Sequence, residues 1–267
     1  MEMQPRGRLR GHSLNRLIPN ILTILALCAG ITAMRFGIQG GWEHAVIAIV
    51  VAAVLDGLDG RIARALGASS RFGAELDSLS DFVAFGVAPA FLVYLWSLQT
   101  AGGFGWALAL LFAVCCALRL ARFNTTLESE VPEPAWAKNF FVGVPAPLGG
   151  LLALIPMIVG LETESEVFAS PVINGLVIAG ISALMVSRVP TIAIKQAKVP
   201  ARYVVFVLLG VGAFAAFLIS TPWVTLAVSA VVYLASIPYT VVLYRRLERR
   251  HPSEALEEIE EEEETGA

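Results

Sequence analysis

The chain has 267 residues, of which 57% are hydrophobic and only 15% charged, and its mean hydropathy is +0.72. That balance is too apolar for an ordinary soluble domain and excludes a soluble enzyme. The formal net charge of −3 hides an asymmetry: Glu254, Glu257, Glu258 and Glu260 to Glu264 crowd the last fourteen residues, and without those eight charges the chain stands at +5.

Residues 1–16 carry Arg6, Arg8, Arg10 and Arg16 and lack the apolar core and small-residue cleavage site of a signal peptide, so they read as a retained basic cytoplasmic segment. Charge-free runs follow at 17–34, 82–118, 139–161, 167–187 and 203–244. A bilayer core needs about 20 apolar residues, so two of these runs are double-length. They break at 99–103, where two glycines sit, and at 220–223, where Pro222 sits. A further span lies between His44 and Leu66, its second half interrupted by Asp56, Asp59, Arg61 and Arg64. The expectation is an all-α, polytopic bundle of eight spans near 17–37, 45–66, 74–98, 104–122, 145–161, 170–188, 203–220 and 223–244. Four regions are expected: the basic segment 1–16, a membrane core 17–200, two additional spans within 201–250, and an acidic solvated tail 251–267.

Basic residues test this count independently of hydropathy, because Lys and Arg collect in cytoplasmic loops. With both termini cytoplasmic, every Lys and Arg except Arg35 falls on or beside the cytoplasmic side. Cys28, Cys115 and Cys116 lie inside apolar runs and read as packing residues, offering neither a disulfide framework nor a zinc site. There is no phosphate-binding glycine loop and no dinucleotide fingerprint, and nucleic acid is not an expected partner.

The chain has four aspartates, all within residues 56–81. Asp56 and Asp59 are spaced i, i+3 at the cytoplasmic end of the second expected span, and Asp77 and Asp81 i, i+4 at the cytoplasmic start of the third. Each pair faces one way from its helix. The helices are consecutive and antiparallel, so the pairs can converge. Carboxylates at membrane depth are costly and usually functional, and their mutual repulsion is relieved by one or two divalent cations with oxygen ligands, such as Mg²⁺ or Mn²⁺. Salt bridges to Arg61, Arg64 and Arg71, or helix capping, would account for one or two of the four but not for all, nor for the small residues Gly57, Gly60, Ala63, Gly67 and Gly73 among them.

The pattern Asp56-x2-Asp59-Gly60-x2-Ala63-Arg64-x8-Gly73-x3-Asp77-x3-Asp81 resembles the complete signature of the CDP-alcohol phosphotransferases. Residues 81–89, 118–124 and Val144-Pro145 are similar to the bacterial phosphatidylserine synthases of that family, and the similarity runs over roughly 15–200. The resemblance implies that Asp56 and Asp77 bridge two metal ions, that Asp59 completes one site, and that Asp81 completes the other and serves as base. It also implies that Gly60, Arg64 and Ser70 contact the CDP-lipid. A guanidinium suits diphosphate oxygens because it stays charged and donates in a planar fork.

The implied reaction moves a phosphatidyl group from CDP-diacylglycerol to L-serine and releases CMP, at the cytoplasmic face of the cell (inner) membrane, in a protein the resemblance makes a homodimer. His12, His44 and His251 lie away from the aspartates in the chain and are not needed, since metals and a carboxylate base suffice. For the serine carboxylate, Arg119 and Arg122 with Asn124 nearby are candidates, Lys195 more remotely; equally, the two arginines serve as positive-inside anchors or diphosphate ligands. A sister enzyme using glycerol 3-phosphate or inositol phosphate is the first alternative. A divalent-cation transporter is the alternative from another class, disfavoured because the carboxylates crowd one membrane face.

Overall fold

Every apolar run expected to cross the membrane is helical. The computed structural model describes residues 14–68, 70–128, 140–192 and 204–249. In it α1 covers Leu14–Ile38, α2 Trp42–Ala65, α3 Arg71–Asp81, α4 Ala88–Trp96 and α5 Gly102–Glu128. Then come α6 Ala146–Ala153, α7 Ile155–Thr163, α8 Pro171–Val186, α9 Val204–Ser220 and α10 Pro222–Glu248. Arg6, Arg8, Arg10, His12, Lys195, His251 and the acidic tail lie outside the described residues.

Four stretches are long and apolar enough to cross a bilayer: Leu17–Ile38, Arg71–Trp96, Leu98–Thr125 and Pro222–Glu248. The pair α6 and α7, bent by 41° at its junction, makes a fifth if taken as one span. Pro156 at the start of α7 accounts for the bend, since it has no N–H for the carbonyl of Leu152 and its ring presses on that carbonyl. The other three expected spans are helical but differ from these five. α2 is long enough, yet every membrane-length stretch of it contains at least three charged residues; α8 and α9 are short, at 16 and 17 residues.

α3 and α4 are joined without a loop by a π-helical stretch, Phe82–Val87, in which the N–H of Ala88 bonds back to the carbonyl of Val83. Pro89 supplies a local reason: without an N–H it cannot close the α-helical bond to the carbonyl of Phe85, and a wider turn absorbs the mismatch. This stretch lies at the centre of the molecule. Ala84 and Phe85 are fully buried, and the core continues through Ile49, Leu92, Phe112, Met157 and Met185. Two glycines let neighbouring helices reach its backbone. A Cβ on Gly30 of α1 would stand 2.7 Å from the Cα of Ala84, and one on Gly150 of α6 would stand 2.9 Å from the carbonyl oxygen of Phe85.

A two-stranded antiparallel ribbon, β1 Phe140–Val142 and β2 Pro190–Ile192, is a feature hydropathy does not announce. It pairs the chain before α6 with the chain after α8, and α10 packs against it. By contrast α9 buries no residue and lies mainly along α10. A helix that is apolar all round and covered by so little protein belongs against lipid.

Candidate active site

α1 and α2 pack along their lengths, with α3 against α1, and this brings the two aspartate pairs together. Asp56, Asp59 and Asp77 each offer a carboxylate oxygen, and the three atoms lie within 4.8 Å of one another. Asp81 stands outside that mutual set but reaches Asp56 at hydrogen-bonding range. Two carboxyl groups so close repel unless a proton or a cation lies between them.

α1 completes the arrangement with a residue the sequence did not single out. Thr23 donates to Asp59 Oδ2 at 2.7 Å while its own carbonyl accepts from Ser80 Oγ at 3.1 Å, so one residue of α1 ties α2 to α3 beside the carboxylates. Asp59 is 4% exposed. Asp77 Oδ1 is buried with no hydrogen-bond partner. A cluster of oxygen-only donors that includes an orphaned buried oxygen fits a hard divalent cation. Among the described residues none of the four aspartates forms a salt bridge, and Arg61, Arg64 and Arg71 are exposed, so the ion-pair explanation does not hold for them.

The remaining candidates divide by what they touch. Gly60 is half-buried, and its Cα face lies open to the Arg64 guanidinium, whose Nη1 is 3.7 Å from where a Cβ would sit. Ser70 caps α3: its hydroxyl accepts from the N–H of Gly73 at 3.1 Å. A Cβ on Gly73 would lie 3.0 Å from Asn20 Oδ1, which explains a glycine where α3 meets α1. Asn124 donates to Ser78 Oγ at 2.9 Å, and so fastens α5 to the turn between Asp77 and Asp81.

Arg122 donates to the carbonyls of Val186 at 2.8 Å, Ser187 at 3.2 Å, and Val142 and Met185 at 3.3 Å. Its terminal nitrogens are held by main-chain carbonyls around the end of α8 and β1. Arg119 is different. It is 8% exposed, its Nε is buried without a partner, its guanidinium lies 5.6 Å from the centre of the Phe123 ring, and it acts electrostatically on Asp56 and Asp81. His44 rests against Phe36, with ring centres 5.4 Å apart, at the opposite end of α2 from the aspartates.

Comparison with known proteins agrees with this geometry. The family model for CDP-alcohol phosphatidyltransferase matches residues 16–186, which hold all four aspartates, and that for CDP-alcohol phosphatidyltransferase 2 matches residues 202–238. The CDP-diacylglycerol–serine O-phosphatidyltransferase of Mycobacterium leprae is 39% identical over 90% of this chain and 79% of its own length. The protein of the same name from Mycobacterium bovis is 39% identical over 93% of the chain and 85% of its own length. That from Bacillus subtilis is 34% identical over 64% of the chain and 88% of its own length. With the aspartate cluster inside a family match that spans most of its length, the chain belongs to the CDP-alcohol phosphatidyltransferase family.

Proposed function

We propose that the protein transfers the phosphatidyl group of CDP-diacylglycerol to the hydroxyl of L-serine, giving phosphatidylserine and CMP. The observation that carries this reading is the cluster of Asp56, Asp59 and Asp77, with Asp81 one helical turn beyond Asp77, in a chain whose relatives, matched over most of its length, are named for that reaction. Asp56, Asp59, Asp77 and Asp81 would hold the divalent ions, two of them, Mg²⁺ or Mn²⁺, with Asp56 and Asp77 shared. When bound, such ions neutralise the diphosphate and the charge developing on departing CMP.

The chain's own residues do the rest. Gly60 and Arg64, with Ser70 behind them, receive the CDP-lipid, and Arg64 donates to its diphosphate. Asp81 takes the proton from the serine hydroxyl as the serine oxygen bonds to the lipid-bearing phosphorus; the phosphoanhydride bond breaks, and CMP leaves with the electron pair. Arg119 holds the serine carboxylate beside Asp81. The reading includes eight spans with both termini cytoplasmic, a cytoplasmic-face site in the cell (inner) membrane, the four regions 1–16, 17–200, 201–250 and 251–267, and a homodimer. Acyl chains then stay in lipid while cytidine and serine enter from water.

The test is an acceptor screen on purified protein with labelled CDP-diacylglycerol. L-serine should support CMP release and phosphatidylserine formation, and excess chelator should abolish both. Faster turnover of glycerol 3-phosphate or inositol phosphate would place the protein with a sister activity. Ion flux without any CMP release would make it a transporter.

A further inference from the structure

The face of α3 that carries Asp77 and Asp81 must turn toward α2 for the carboxylates to meet, yet apolar packing does little to set that turn. Among the described residues Ser80 is the one that α3 buries, and Phe72 and Leu79 are exposed. Polar contacts fix the helix instead. At about 100° per residue, Asp77 and Asp81 lie about 40° apart around it, with Ser78 about 60° outside Asp81 and Ser80 about 60° outside Asp77 on the opposite flank. Each serine is bonded to a different neighbour. Ser80 Oγ donates to the carbonyl of Thr23 on α1 at 3.1 Å, and Ser78 Oγ accepts from Asn124 Nδ2 on α5 at 2.9 Å.

Ser78 has one proton to give, to the carbonyl of Ala74 at 3.1 Å or to Asn124 Oδ1 at 3.2 Å, and in both arrangements its oxygen still accepts from Asn124. The anchor on α5 is firm. Two residues before Asn124, Arg122 binds the carbonyls of Val142, Met185, Val186 and Ser187, where α8 ends and β1 passes. We propose that Ser78 and Asn124 are positioning residues of the metal site: their bond holds α3 at the rotation that presents Asp77 and Asp81 to the carboxylates of α2. Small rotations matter here. Side chains end about 5–6 Å from a helix axis, so a turn of about 10° moves a carboxylate by about 1 Å, against roughly 0.2 Å that ligand distances tolerate. This rests on the reading, given above, that the aspartates hold divalent ions.

Ser78→Ala and Asn124→Ala each remove the bond, whereas Ser78→Thr keeps the hydroxyl. In the purified full-length protein, Mn²⁺ affinity, read by electron paramagnetic resonance of the free ion, should fall about fivefold to tenfold in either alanine variant, the scale of one hydrogen bond. The double variant should lose no more than the weaker single one, because both changes end the same contact. Ser78→Thr should bind Mn²⁺ nearly as wild type does. The kcat should fall with metal affinity while the KM for L-serine stays within about twofold. Alanine favours helix, so Ser78→Ala carries the test should Asn124→Ala not fold. Wild-type affinity in either folded alanine variant overturns the inference, whatever the melting temperature does, since a bond that only stabilised the fold would lower that temperature and leave the affinity alone. So do losses that add in the double variant, a Ser78→Thr protein as weak as Ser78→Ala, and a change confined to the KM for L-serine, which would give Asn124 to the acceptor. The metal reading is judged separately on the wild type: if it binds no Mn²⁺, reading and inference both fall, whereas wild-type binding with indifferent variants sinks the inference alone.

Discussion

Thr23 shows how much of a candidate metal site can rest on a residue that is not one of its carboxylates. Its hydroxyl fixes Asp59 Oδ2 at 2.7 Å, and its carbonyl holds Ser80, one residue before Asp81. Hydrogen bonds to ligating groups typically set affinity by a factor of about 10–100. Thr23→Val keeps the shape and removes the donor, so Mn²⁺ affinity, followed by electron paramagnetic resonance of the free ion, should fall by roughly that factor. Affinity equal to wild type would remove Thr23 from the site. Asp81→Asn tests the base: kcat should drop by about 10²–10⁴ while CDP-diacylglycerol still binds and the ion held by Asp56, Asp59 and Asp77 is retained. Near-normal kcat would take the proton-acceptor role away from Asp81, and loss of all metal and lipid binding would leave it a metal ligand alone, with the base still to be found. The aspartates were legible because a carboxylate in an apolar run has no cheap explanation. Thr23 was not, since a threonine in a helix can satisfy its hydroxyl on its own backbone, as this one also does on the carbonyl of Pro19. For Arg122 and Asn124 the sequence shows chemistry that suits a substrate, and only tertiary structure reveals the carbonyls and the serine they also bond.

At the scale of the element, the π-helical stretch Phe82–Val87 links Asp81 to the core. It is held from α1 through Gly30 and from α6 through Gly150, and in both places the nearest atom in the way of a Cβ belongs to backbone, which cannot turn aside. Gly150→Ala should therefore lower the melting temperature by roughly 3–10 °C, the scale of an overpacked core, and should lower kcat by displacing the segment that carries Asp81. Gly180→Ala is the comparison: on α8, with no atom within 4 Å of its Cβ, it should leave both quantities at wild-type values or slightly raise stability. A Gly150→Ala protein as stable and active as Gly180→Ala would show that the packing does not constrain the site. Helix positions were readable within a few residues because each span is a long, uniform hydropathy signal. The bend at α6 and α7 and the π-helical stretch were not, although Pro156 and Pro89 mark both. Proline says that a backbone bond is missing; the packing around it decides whether the chain kinks or widens. The ribbon of β1 and β2 was unreadable for a related reason: three residues per strand carry no period, and its pairing joins segments about fifty residues apart through α6 to α8.

For the whole molecule the open question is which helices cross the bilayer, and it turns on length. At about 1.5 Å per residue, α8 and α9 extend roughly 24 Å and 26 Å, against a hydrocarbon core of about 30 Å. Either can still cross if the bilayer thins locally or flanking residues complete the span, at a modest cost per ångström of mismatch. Charge favours crossing. Arg188 follows α8, and Arg245, Arg246 and Arg249 end α10, whereas the turn after α7 carries Glu162, Glu164 and Glu166 with no basic residue. Three crossings between Glu164 and Arg249 would put those positions on opposite faces, and fewer by one would put them on the same face. In a background with Cys28, Cys115 and Cys116 replaced by alanine, Glu164→Cys should react with a membrane-impermeant maleimide in intact cells, and Arg249→Cys only after the membrane is opened. Labelling of both in intact cells, or of neither, would mean that one of α8 and α9 lies in the interface, reducing the spans to seven and moving one terminus out of the cytoplasm. Labelling of Arg249→Cys alone would invert the molecule and set the aspartates on the outer face, away from cytoplasmic serine and nucleotide, which no version of the proposed reaction survives.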